Sequence, residues 1–231
     1  MNKHVGIVAC SAEGAALCYR TICSEGSAQL GAHEHPEISL HSSSLAQYVR
    51  HLDAGDLDGV GELMLASACK LERAGADFLI CPDNTIHQAF HLIEDRSPLP
   101  WLNIAQVVAN RAAESGIRRV GLMGTHWLVR SLVYDEALDS VGVAAIRPDP
   151  EDIDEMGRII MEELVAGKIV PKSTQRLLHI IAQLELCGCD AVVLGCTELP
   201  LVLNDANSAL PTLDSTRLLA RAALAKASLS T

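Results

Sequence analysis

The chain has 231 residues, 49% of them hydrophobic, 20% charged and 3% aromatic, with a formal net charge of −11. This composition excludes a disordered polymer, and an acidic chain with no basic run argues against nucleic-acid and anionic-membrane partners. The length accommodates one large α/β domain or two lobes of about 110 residues each.

Short apolar runs alternate with helical patterns from one end to the other. Val5–Cys10 reads as the first strand and the region near Gly14–Leu30 as the first helix. Helical periodicity returns near Val60–Ala74, followed by strands at Phe78–Cys81 and Trp101–Ile104 and a helix at Ala105–Ser115. The second half repeats this order. Its strands are Val120–Met123, Val141–Ile146 and Ala191–Leu194, and its helices lie near Leu128–Leu138, Ile153–Val165 and Thr174–Leu186. Asp152 and Glu155 have capping-box spacing. Gly75, Gly116 and Gly167 are placed as helix stops. The alternation predicts an α/β fold with a parallel, doubly covered sheet in each half. Residues 1–105 form the predicted first lobe and 106–213 the second, with a C-terminal helix, 214–228, packing back on the first. With few aromatics, the core must be built from Ala, Leu, Val and Ile.

No apolar run is long enough to span a bilayer. Met1-Asn2-Lys3-His4-Val5 runs straight into a strand, so no leader is expected and a cytoplasmic location is. The eight cysteines then read as reduced thiols. Cys187-Gly188-Cys189 lacks the ligand gap and the second cysteine pair of a zinc site, so no metal is expected. No Gly-x-Gly-x-x-Gly follows the first strand and there is no P-loop, so no nucleotide cofactor is indicated.

The chain repeats itself. Ala74-Gly75-Ala76-Asp77-Phe78-Leu79-Ile80-Cys81-Pro82-Asp83-Asn84-Thr85 returns as Cys187-Gly188-Cys189-Asp190-Ala191-Val192-Val193-Leu194-Gly195-Cys196-Thr197-Glu198, at a constant offset of 113 residues. Val5-Gly6-Ile7 returns as Val120-Gly121-Leu122, offset by 115. A period this long indicates duplicated half-domains rather than a solenoid. The repeat sets Asp83 in register with Cys196, each just after an apolar strand, where open α/β sheets bind ligands. Two such loops facing each other would place two acid/base groups on opposite sides of one cleft. Ser11, Asn84, Thr85, Thr125 and Thr197 lie in the same strand-end loops and suit a small carboxylate, which needs several donors at once. Glu198 is either a functional group or a favourable charge in the first turn of the next helix. Asp83 is either an acid/base or orienting group or a turn cap. His87 reads as a capping or packing residue, and His126 could orient a carboxylate.

Gly195-Cys196-Thr197-Glu198, together with Pro82-Asp83-Asn84-Thr85-Ile86-His87, resembles the cofactor-independent aspartate/glutamate racemase superfamily. The similarity extends over nearly the whole chain and includes Ser131, Tyr134 and Pro211-Thr212-Leu213-Asp214-Ser215-Thr216. It implies two Rossmann-like lobes with parallel sheets related by a pseudo-twofold axis, an active site in the interlobe cleft, and a homodimer. It also implies no cofactor and one catalytic cysteine per lobe, each moving a proton at one face of Cα.

Here the first of those cysteines is replaced by Asp83. Cys81 shares its strand face but lies about 6–7 Å deeper, and is not expected to substitute. The reading is therefore an amino-acid racemase or epimerase with Cys196 on one face and Asp83 on the other. A carboxylate with an ordinary pKa of about 3.9 is a weak base for an α-proton, so that role requires burial. The alternatives are a single-cysteine lyase or isomerase, resembling arylmalonate decarboxylase or maleate isomerase, or a non-catalytic carboxylate binder. In aspartate-specific relatives an Arg and a Lys hold the side-chain carboxylate. The register puts His41 and Val165 at those positions, with Arg50 and Lys168 nearby.

Overall fold

The computed structural model describes residues 2–228. The chain divides into two units, one running to Val107 and resuming at Thr216, the other spanning Val108–Ser215.

In the first unit, β1 (Val5–Ala9) leads into α1 (Ala12–Leu30), then β2 (Ile38–Ser42), α2 (Leu45–Asp53), α3 (Leu57–Arg73) and β3 (Phe78–Ile80). A 3-10 turn at Thr85–Ala89, the short α4 (Phe90–Ile93) and β4 (Trp101–Leu102) follow, and α5 (Ile104–Glu114) begins there. The four strands are parallel in the order β2-β1-β3-β4. α10 (Ser215–Ser228) adds Leu219, Ala220, Ala223, Leu224 and Ala227 to a core shared with Val5, Ile7, Cys18, Ile22, Phe78 and Ile80. Their spacing is one face of a helix. Arg221 forks onto Glu25 of α1 at 2.9–3.0 Å, and the Lys226 ammonium lies 5.5 Å from the centre of the Phe78 ring.

The second unit repeats the plan. β5 (Arg119–Met123) is followed by α6 (His126–Val129), α7 (Asp135–Asp139), β6 (Ala144–Ile146), α8 (Pro150–Arg158), α9 (Pro171–Leu186), β7 (Ala191–Leu194) and β8 (Thr212–Asp214). The strands are again parallel, ordered β6-β5-β7-β8. Each unit is thus an α/β layer with a four-stranded parallel sheet.

The repeated Gly-x-Asp has a structural explanation. Gly75 and Gly188 take φ of +92° and +81°, the left-handed conformation that ends α3 and α9. Two residues on, Asp77 accepts the His4 backbone N–H at 2.6 Å, and Asp190 accepts those of Arg118 and Arg119 at 2.9 Å each. Each aspartate pins the start of the neighbouring central strand. The bonds from Arg118 and Arg119 hold the Asp190 carboxyl below its ordinary pKa.

Several elements differ from their sequence signals. β2, α2 and β8 went unread because Ile38–Ser42 and Thr212–Asp214 mix polar with apolar residues. The Leu128–Leu138 helix is two short ones, separated by a loop that Arg147 ties through Val129 O, Ser131 O and the Asp135 carboxylate at 2.6–2.8 Å. Ile104 starts a helix instead of ending a strand, and the Val141–Ile146 strand is only Ala144–Ile146. Asp152 and Glu155 form no capping box. α8 starts at Pro150 after Asp149, while Asp152 pairs with Arg176 and Glu155 with Arg158. Beyond α8, Ile159–Leu164 widens into a π-helical turn.

Candidate active site

The two candidate acid/base residues, Asp83 and Cys196, lie in the loops that follow β3 and β7, at the carboxyl ends of the central strands. In the β7 loop, Gly195 N–H bonds Met123 O at 2.8 Å, bringing the chain hard against β5. A Cβ on Gly195 would meet Leu128 Cδ2 at 2.6 Å and Met123 O at 2.9 Å, so only glycine fits before Cys196. Cys196 is buried, and its thiol donates to Glu198 Oε2 at 3.0 Å. The same oxygen accepts the Thr197 hydroxyl at 2.6 Å. Thr197 and Glu198 are also buried, at 4% and 3% exposure. Glu198 precedes a single 3-10 turn, Leu199–Leu201, instead of opening a helix, and its carboxylate is spent on the thiol. In this contact the thiol is the donor and the carboxylate the acceptor.

The β3 loop is built differently. Asp83 is half-buried, and its Oδ1 accepts the backbone N–H groups of Thr85 at 3.0 Å and Ile86 at 3.4 Å. Asp83 therefore does cap the turn, and the two donors stabilise a carboxylate. The Asp83 carbonyl accepts Nδ1–H of buried His87 at 2.7 Å. Burial lowers the His87 pKa to about 4, so the ring is neutral, and a carbonyl partner fixes the proton on Nδ1. Cys81 lies directly after β3, fully buried, and burial pushes its thiol well above the ordinary value. It is a poor proton carrier.

The remaining candidates divide between local structure and the strand-end loops. Ser11 caps α1, accepting Gly14 N–H at 3.2 Å, and Thr125 caps α6, accepting Leu128 N–H at 3.3 Å. Asn84 is buried and starts the 3-10 turn, with its carbonyl taking His87 N–H at 3.1 Å. Thr85 O accepts from the Gln88 amide at 3.0 Å. The His126 ring lies tilted by 39° against Trp127 with centroids 4.2 Å apart, in space that Gly157 leaves open.

His41, near the end of β2, bonds Ser67 Oγ through Nδ1 at 3.0 Å and Lys70 Nζ through Nε2 at 2.9 Å. Burial and the Lys70 charge lower its pKa. Lys70, not His41, therefore supplies the cation there, and sequence reasoning missed it because 29 residues separate the two. Lys70, Arg50 and Lys168 are all exposed. Tyr48 was also missed. It is wholly buried, and its phenol pKa is raised by burial and by neighbouring Cys81, Cys10 and Asp83. A tyrosine inside α2 carries no sequence signal for that neighbourhood. Among the described residues, no cluster of three or more His, Cys, Asp or Glu is arranged to hold a metal, and no helix is long and apolar enough to cross a membrane.

The Asp/Glu/hydantoin racemase profile matches residues 7–223. The chain belongs to that family. It is 27% identical over 202 residues to the broad specificity amino-acid racemase RacX of Bacillus subtilis, covering 86% of this chain and 82% of that protein. A candidate Asp/Glu racemase from Yersinia pestis superposes with a TM-score of 0.88 at 32% identity, over 97% of this chain and 99% of the other. PH1733, an aspartate racemase homologue from Pyrococcus horikoshii, gives 0.84 at 27% identity over 98% and 100%. Within this family the chain is an isomerase of the racemase type, and the α/β architecture of both units agrees with that assignment.

Proposed function

We propose that this racemase interconverts the enantiomers of a small acidic amino acid by moving the Cα proton, without a cofactor. Cys196 serves one face of Cα and Asp83 the other. The observation that carries this reading is the buried Cys196–Glu198 contact at 3.0 Å. With its proton on sulfur, Cys196 is an acid for a planar carbanion. With that proton moved to Glu198, it is a thiolate able to take an α-proton. Thr197 holds the Glu198 carboxylate in line. From the state with Cys196 as thiolate and Asp83 protonated, which the opposite direction leaves behind, the α-proton passes to sulfur and Asp83 gives its proton to the opposite face, restoring the thiol and the Asp83 carboxylate. In that opposite direction, the Asp83 carboxylate takes the proton and the Cys196 thiol gives one.

An acidic substrate is supported by the family's Asp/Glu description and by the aspartate racemase homologue from Pyrococcus horikoshii. The test is a panel of pure enantiomers, led by aspartate and glutamate, incubated in heavy water without added cofactor and resolved by chiral chromatography. Both enantiomers of the true substrate should converge on an equal mixture labelled at Cα. No interconversion across the panel, or interconversion only after adding pyridoxal phosphate, would refute the reading.

A further inference from the structure

We infer that His87 is a positioning residue for the Asp83 half of the reaction, acting as a fixed Nδ1–H donor that sets the main chain from which the Asp83 carboxylate projects. The inference rests on the proposed role of Asp83. Three observations carry it. The Nδ1 to Asp83 O bond is 2.7 Å, while the Cys81 thiol reaches the same carbonyl only at 3.8 Å. The ring is 5% exposed and held from its face, stacking on Phe90 at 5.7 Å and 21°, while Phe90 meets Trp101 edge-on at 5.9 Å. The repeat supplies the third: 113 residues on from His87 stands Pro200, which has neither an imidazole nor a backbone N–H. The β7 loop instead orients its thiol through the Glu198 side chain.

Asp83 is thus held at both ends, its carboxylate by the turn N–H groups and its carbonyl by His87. Loss of the second hold would let the turn rotate as a unit, and displacements of about 1 Å can cost a reaction 10²-fold. His87 touches the main chain of Asp83 and not the reacting atoms, so its loss should be felt on one face of Cα only.

The experiment is α-proton exchange from each pure enantiomer in heavy water for His87→Ala, His87→Asn and His87→Gln, with Asp83→Asn in parallel. The amide nitrogen of Asn stands where Nδ1 does, whereas that of Gln reaches to Nε2. His87→Ala should slow exchange of one enantiomer about tenfold or more and leave the other within about threefold. Asn should restore it and Gln should not. Equal slowing of both enantiomers, no slowing, or rescue by Gln as good as by Asn would overturn the inference. If Asp83→Asn exchanges both enantiomers at wild-type rates, the parent reading fails. If Asp83→Asn is face-selective and His87→Ala is not, only the inference fails. Nitrogen-15 spectra of the histidine-labelled full chain give a readout that needs no variant to fold. Nδ1 of His87 should carry the proton, and a protonated Nε2 with bare Nδ1 would contradict the assignment.

Discussion

The loops after β3 and β7 descend from the same repeated segment, yet they solve opposite problems. After β7 a thiol points at a carboxylate two residues on, and both are buried. After β3 the carboxylate itself occupies the thiol's position and is bound by backbone N–H groups. The difference shows how one scaffold position can change chemistry. In the proposed reaction a thiol needs an acceptor to move its proton, and Glu198 stands 3.0 Å from it. In the same proposal a carboxylate needs a fixed turn to keep it aimed, and Asp83 is bonded by the Thr85–Ala89 turn and by His87. The equivalent backbone slots, Pro82 and Gly195, carry the change: Gly195 lets β7 close on Met123, and a proline at the matching point cannot donate that bond.

The largest expected break in this comparison is at sulfur. Cys196→Ser or Cys196→Ala should reduce racemisation by about 10³-fold or more with little change in melting temperature, while Cys81→Ser keeps most activity. Steady-state rates and thermal melts on the three variants check this. The next effect is in pH-dependent stability. Because His87 titrates near 4 when folded and near 6.5 when unfolded, the unfolded chain binds the extra proton between those values. Stability from this residue is present above pH 6.5 and falls as pH drops toward 4, by up to about 3 kcal/mol. Denaturant titrations at several pH values should show that slope reduced by that amount in His87→Asn. Glu198→Gln keeps the shape but removes the proton acceptor, and should cost about 10²-fold in kcat with a smaller change in KM. Gly195→Ala should destabilise by about 1–3 kcal/mol, measured as a shifted denaturation midpoint, since its Cβ meets backbone at Met123 O.

Much of this contrast could be read from the chain. Gly75, Gly188, Asp77 and Asp190 gave the duplication away because each makes a backbone bond or turn that both halves need. Cys196 stood out because a polar group after an all-apolar strand reappeared in register. The Glu198–Cys196 contact was not legible, because both residues lie in the turn after β7, where neither strand nor helical periodicity says which side chains meet. Lys70 beside His41 was not legible either, since that contact depends on how α3 lies against β2. The sequence treated the His87 imidazole as a capping or packing group, and only the distance to the Asp83 carbonyl distinguishes a clamp from a filler.

The claim that the two loops serve opposite faces of one carbon is tested most directly by face-resolved exchange. Each pure enantiomer of the substrate is incubated in heavy water with Cys196→Ser and, separately, with Asp83→Asn, and deuterium at Cα is followed by proton NMR. The account predicts that each variant still exchanges one enantiomer, with retention, and that the two variants spare opposite enantiomers. Asp83→Asn exchanging both enantiomers at wild-type rates, or both variants sparing the same one, would contradict it.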